Sequence, residues 1–85
     1  IDPPPAAQAD AVIRSKCAEK WPDDYRMQQY CREQQNKGLR ALRSRRMTGA
    51  MARVRSKCAE KWQDDYRMRN YCEETQIEAY RNLQR

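Results

Sequence analysis

One eighteen-residue segment occurs twice in this chain. Residues 14–31 read RSKCAEKWPDDYRMQQYC and residues 55–72 read RSKCAEKWQDDYRMRNYC, so that 15 of 18 positions are identical. The likeness extends further with more substitutions, because residues 13–44 match residues 54–85 at 19 of 32 positions. A repeat period near 40 residues is typical of a unit made of two helices. The chain is therefore predicted to contain one structural unit, duplicated.

Apolar residues recur within each copy at the spacing of a helix. Steps of four residues place one apolar stripe on a helix in each copy, formed by Ala9, Ile13, Cys17 and Trp21 in the first and by Ala50, Val54, Cys58 and Trp62 in the second. Each stripe is followed by two aspartates, which suit the N-terminus of a second helix as cap and dipole partner. There is no Phe and no alternation of Val, Ile or Thr with polar residues, so strands are not expected.

The predicted fold class is all-α. Each copy would form a helical hairpin, giving about four helices, and the two hairpins would pack with pseudo-two-fold symmetry. The physical reason is that a hairpin of about 30 residues cannot bury its apolar face alone, whereas two related hairpins cover each other. We divide the chain into a flexible Pro/Ala-rich N-terminal tail (1–8), a first hairpin (9–46) and a second hairpin (47–85), the two hairpins forming one domain.

Four cysteines form the strongest single signal. Both copies have thirteen residues between two cysteines, with one cysteine on each predicted helix. We predict one disulfide per hairpin, although four cysteines allow three pairings and bridges between the copies stay open. Zinc is disfavoured, because there is no C-x2-4-C knuckle and no His. Reduced cysteines in the core of a cytosolic protein are the other alternative. The predicted disulfide residues are Cys17, Cys31, Cys58 and Cys72.

Covalent links would matter in a chain with this composition. Hydrophobic residues make up 39% of the 85 residues, charged residues make up 35%, and the mean hydropathy is -1.28. A short chain of this kind buries little apolar surface, so that small domains commonly add disulfides.

In architecture the two units resemble the twin CX9C proteins, which are helical hairpins held by disulfides. The spacing here is CX13C, with one cysteine pair per hairpin instead of two. The resemblance therefore implies a stapled hairpin and carries over no function.

The positive charge is concentrated at the junction between the copies. The net charge is +6, and the stretch from Arg40 to Lys57 holds seven basic residues and no acidic one. Such a cluster can contact an acidic protein, an anionic polymer or phosphates, although arginines also suit helix C-termini and solvated linkers. Two tyrosines off the main stripe add aromatic contact area. The predicted binding surface comprises Arg40, Arg43, Arg45, Arg46, Arg53, Arg55, Lys57, Tyr25 and Tyr66.

Catalysis has little support in the sequence. There is no His, the serines are limited to three, and no Gly-rich phosphate loop is present. Without a general base, a Ser or Cys nucleophile is hard to activate. The paired aspartates are interpreted as helix caps, since adjacent helical residues do not face each other. We expect no enzyme activity, no catalytic residue, no cofactor and no metal site.

The expected function is therefore binding or structural. We expect a small non-enzymatic module of the bacterial periplasm, the cell envelope or the secreted space, with a protein partner that is acidic and with self-association as a further property. No run is long enough to span a membrane. The alternative is an intracellular, nucleic-acid-associated basic protein with reduced cysteines, located in the cytoplasm, in which Arg40–Lys57 tracks a phosphate backbone.

Overall fold

Four α-helices make up most of the molecule. The computed structural model describes residues 2–85, and its helices are α1 (Ala6–Lys20), α2 (Tyr25–Ser44), α3 (Ala50–Lys61) and α4 (Tyr66–Leu83). Helix α1 packs on α2 and α3 packs on α4, so each copy of the repeat is a helical hairpin. No strand occurs in this part of the chain. The all-α prediction is confirmed, and α1 begins three residues earlier than the boundary placed at residue 9.

Short turns of four residues join the helices of each hairpin. The side chains of Asp24 and Asp65 accept hydrogen bonds from the backbone N–H groups of Met27 and Met68, at 3.1 Å in both copies. These bonds satisfy donors that the first turn of a helix leaves without an intrahelical partner. The prediction that an aspartate caps the second helix of each hairpin is therefore confirmed for Asp24 and Asp65, the second member of each pair.

Both predicted disulfides are present. They join Cys17 to Cys31 and Cys58 to Cys72, with Cα–Cα distances of 5.7 Å in each case. None of the four cysteines is free, so pairing between the copies, zinc ligation and reduced core thiols do not describe them. Two structural disulfides fit an oxidising compartment, such as the periplasm or the extracellular space.

The core lies mainly between α1 and α2, and the second hairpin contributes to it. Tyr66 is the one residue of α4 in the buried core cluster, and it is 1% exposed. Trp21 and Trp62, which continue the predicted apolar stripes, are only half-buried. The side chains of the buried cluster are those of Ala9, Ile13, Cys17, Leu39, Leu42 and Tyr66.

The hairpins meet through α2 and α4, which run in the same direction. The side chain of Gln35 bonds the carboxylate of Asp65 at 2.8 Å, and the side chain of Arg45, directly after the end of α2, bonds Asn70 and Glu73. Residues nearer the C-terminus of α2 therefore contact residues further along α4, as expected for two parallel helices. The C-terminal half of α2 lies beside the N-terminal half of α4, and the molecule is elongated, at 49 × 22 × 20 Å.

The predicted pseudo-two-fold relation is not confirmed by these contacts. A two-fold axis would also bring Gln76, the counterpart of Gln35, to Asp24, the counterpart of Asp65. Both of these side chains are exposed instead. Each copy therefore uses a different surface in the contact, which makes the interface heterologous.

A glycine explains part of this asymmetry. A Cβ atom on Gly38 would lie 2.6 Å from the carbonyl oxygen of Tyr66 and 2.8 Å from the Cα of Arg67, so only glycine allows this approach of α2 to the α4 backbone. The second copy carries Ala79 at the equivalent position. Helix α4 therefore cannot approach a neighbour as closely with its own C-terminal half.

Candidate binding surface at the junction between the hairpins

A short linker brings the basic residues of two helices together. Helix α2 ends at Ser44 and α3 begins at Ala50. Gly49 directly precedes α3 with a φ of 60°, in the left-handed region that glycine occupies without steric cost. This turn places Arg43, Arg45 and Arg46 around Arg55 of α3. Arg53 and Lys57 line a separate surface of α3, so the structure brings together only part of the predicted basic junction.

The junction contains a cleft in which the N-terminal segment lies. The Nη1 atom of Arg55 pairs with the Oδ1 atom of Asp2 at 3.2 Å, and the guanidinium of Arg43 donates a hydrogen bond to the carbonyl oxygen of Pro4. Asp2 keeps 88% of its side chain exposed. The cleft thus holds an acidic, proline-rich segment of the same chain at its rim. Its lining residues are Asp2, Pro3, Arg43, Arg45, Arg46, Met47 and Arg55.

Two of the predicted surface arginines are held by a buried carboxylate. The Oε1 atom of Glu73 lies 2.9 Å from Arg45, and its Oε2 atom lies 2.9 Å from Arg55. Arg55 also donates to the carbonyl oxygen of Leu42 at 2.7 Å, and the hydrogen bond to Glu73 raises the pKa of Arg55. Because these contacts join α2, α3 and α4, both arginines stabilise the fold, and the Nη1 atom of Arg55 also contacts Asp2 at the rim of the cleft.

The structure divides the predicted surface residues into three groups. Arg55 and Tyr66 are buried, Arg45 is half-buried, and burial raises the pKa of the Tyr66 hydroxyl. Tyr25 is exposed, but it precedes Arg40 by fifteen residues of α2, or about 22 Å at the helical rise. It therefore does not belong to the basic junction. The exposed cations of the junction are Arg40, Arg43, Arg46, Arg53 and Lys57.

Three residues of this region were absent from the sequence-based prediction. Glu73 in the second copy corresponds to Arg32 in the first, although the neighbouring residues are similar. This reversal of charge indicates that the position has a different role in each copy. Gly38 is a glycine inside a helical pattern, which commonly marks a close approach. Asp2 carries no comparable signal, because it lies in the tail outside the repeat.

The described residues contain neither a candidate metal site nor a helix that could span a membrane. Across residues 2–85, no group of three or more His, Cys, Asp or Glu side chains could hold a metal ion. None of the four helices is long and apolar enough to cross a membrane.

No protein-family model matches this chain, and no curated protein or solved structure matches it either.

Proposed function

We propose that the chain is a non-enzymatic protein-binding module whose basic junction binds an extended, acidic segment of a partner protein. The observation that carries this proposal is the seating of the chain's own acidic segment, with Asp2 on Arg55 and Pro4 on Arg43. A guanidinium that holds a carboxylate in cis can hold one in trans, because charge-assisted hydrogen bonds to carboxylates are the strongest that it makes.

The surrounding charge supports the same partner chemistry. Five exposed cations lie on the sequence stretch that lacks any acidic residue. Exposed charges of one sign attract an opposite partner over distances near the Debye length, so binding should weaken with salt. With two disulfides, the module belongs in an oxidising compartment, and we place it in the bacterial periplasm, the cell envelope or the secreted space.

A peptide that copies the seated segment provides the test. Its sequence is DPPPAAQ, acetylated and fluorescently labelled, and a matched peptide carries Asn in place of the aspartate. The protein is the Asp2→Asn variant, because the native carboxylate competes intramolecularly at a high effective concentration. We expect this variant to bind the acidic peptide more tightly than the wild type does, and to bind the matched peptide more weakly than the acidic one.

Charge reversals locate the binding surface. Arg43→Glu and Arg46→Glu, each added to Asp2→Asn, should weaken binding of the acidic peptide. Arg26→Glu makes the same charge change at an exposed position near the start of α2 and serves as the control. Equal effects of all three reversals would show that only net charge acts, and this would overturn the proposal.

The nucleic-acid alternative is tested with the same variants. A single-stranded DNA oligonucleotide replaces the peptide, and the salt dependence of its affinity is measured. Steeply salt-dependent binding of the oligonucleotide through Arg43 and Arg46, with no binding of the acidic peptide, would favour that alternative.

A further inference from the structure

Exposed apolar residues mark two surfaces of this molecule. Within residues 2–85, five large hydrophobic residues are exposed, and three of them have repeat counterparts in the buried core cluster, to which the second hairpin contributes Tyr66. The three pairs, each 41 residues apart, are Tyr25 (73% exposed) with Tyr66 (1%), Tyr80 (43%) with Leu39 (7%), and Leu83 (80%) with Leu42 (0%).

The heterologous contact between the hairpins uses one face from each copy. We name residues 35–42 of α2, and their counterparts 76–83 of α4, the C-terminal face. Residues 65–73 of α4, and their counterparts 24–32 of α2, form the N-terminal face. Within the chain, the C-terminal face of α2 covers the N-terminal face of α4. The N-terminal face of α2 and the C-terminal face of α4 stay uncovered, towards opposite ends of the elongated molecule.

We propose that these two uncovered faces bind each other between copies of the chain. The C-terminal face of α4 in one copy packs on the N-terminal face of α2 in the next, repeating between molecules the contact that joins the hairpins within one. Because such a contact is heterologous, it leaves a free face at each end and adds copies head to tail. The residues of this contact lie outside the basic junction, and the contact does not depend on the proposed function.

The residues that form hydrogen bonds in the internal contact have identical counterparts on the uncovered faces. Inside the chain, the amide of Gln35 donates to Asp65 at 2.8 Å and accepts from the backbone N–H of Tyr66 at 2.7 Å. The counterparts of these three residues are identical in type, so both hydrogen bonds can form between copies. They are Gln76, Asp24 and Tyr25.

Two substitutions make the contact between copies weaker than the internal one. Ala79 stands in place of Gly38, and its Cβ prevents the closest approach of the helix backbones. Arg32 stands in place of Glu73, so the buried ion pairs with Arg45 and Arg55 have no equivalent. The association is therefore concentration-dependent, whereas the internal contact is permanent within the chain.

Sedimentation velocity over a wide range of protein concentrations tests this proposal. The weight-average mass of the wild type should rise continuously with concentration and pass beyond the dimer. Tyr25→Glu and Leu83→Glu should each lower the association constant at least tenfold, which corresponds to about 1.4 kcal/mol. Tyr30→Glu should leave it unchanged, because Tyr30 lies within the N-terminal face of α2 but its counterpart Tyr71 stays 61% exposed in the internal contact and is not covered by it.

A mixing experiment isolates the head-to-tail geometry. The Tyr25→Glu variant keeps an intact C-terminal face, and the Leu83→Glu variant keeps an intact N-terminal face. Each variant alone should be monomeric, while an equimolar mixture should form one-to-one dimers and no larger species. Circular dichroism verifies that both variants, changed at exposed positions, keep the helical content of the wild type. A wild type that stays monomeric or stops at a dimer would overturn the proposal, as would a mixture that stays monomeric.

Discussion

Replacing Glu73 with glutamine is predicted to destabilise the fold strongly. The carboxylate is fully buried, it accepts hydrogen bonds from Arg45 and Arg55, and Arg55 itself has only 6% of its side chain exposed. The change removes the negative charge of Glu73 and leaves the buried guanidinium of Arg55 without this counter-charge. Removing one partner of a buried ion pair costs roughly 3–5 kcal/mol. A chain of this length has a total stability of roughly 4–13 kcal/mol, so the loss is a large share of it.

Urea and thermal denaturation followed by circular dichroism measure this effect. For a domain of this size each kcal/mol shifts the melting temperature by roughly 4–8 °C, so a fall of about 12 °C or more is expected. The matched control is Glu74→Gln, which alters the neighbouring exposed carboxylate and should cost less than about 1 kcal/mol.

A paired replacement separates the loss of charge balance from the loss of packing. Arg55→Met combined with Glu73→Leu removes both fully buried charges, and it should destabilise less than Glu73→Gln alone. Arg45, which is half-buried, loses Glu73 but keeps its contacts with Asn70 and Glu74. Equal stability of the Glu73→Gln and Glu74→Gln variants would refute the reasoning.

Three further predictions concern stability. Gly38→Ala should lower the free energy of unfolding, measured in urea, because the new Cβ would meet backbone atoms of α4. Such overpacking costs roughly 1–3 kcal/mol, which outweighs the gain of about 1 kcal/mol in helix propensity; a stabilised variant would contradict the close approach. Replacing Cys58 and Cys72 with serine should cost about 3 kcal/mol for a closed loop of this size, measured in the same way, and an unchanged midpoint would contradict the stapling role. Burial raises the pKa of Tyr66 above the ordinary 10.0, so the folded state holds this proton more tightly than the unfolded state does. The corresponding stability is present below pH 10.0 and is lost as the pH rises through the raised value, and a Tyr66→Phe variant should show a smaller alkaline loss.

Features that depend on nearby residues were predictable from the sequence. The pairing of Cys17 with Cys31 follows from one cysteine on each helix of a hairpin, and the capping by Asp24 follows from its place before a helical stripe. Both rest on positions within about fifteen residues of each other, where helical spacing and turn chemistry restrict the geometry.

The relation between the hairpins was not predictable in the same way. Repetition of a segment implies two similar units, but a two-fold and a head-to-tail arrangement are both compatible with it. The choice depends on a missing Cβ at Gly38 and on a reversed charge at Glu73, which are two of the positions that differ between the copies.

The basic cluster shows the same limit. Its charge is visible as a run in the sequence, but the pairing of Arg45 and Arg55 with Glu73 joins residues 28 and 18 positions apart. Such an ion pair buries an arginine that would otherwise be exposed, and the residues next to it in the sequence do not indicate this. The exposed part of the cluster is consequently smaller than the sequence suggests.

Nuclear Overhauser effects in a dilute, isotope-labelled sample test the one-sided packing of the hairpins most directly. The structure places Gly38 against Arg67, so cross-peaks between their α-protons are predicted. The counterpart pair, Ala79 and Arg26, should give none in the monomer, because these residues lie on the two uncovered faces. Equally strong cross-peaks for both pairs would show two-fold packing, and absence of the first would show that α2 and α4 do not meet there; either result would contradict the account.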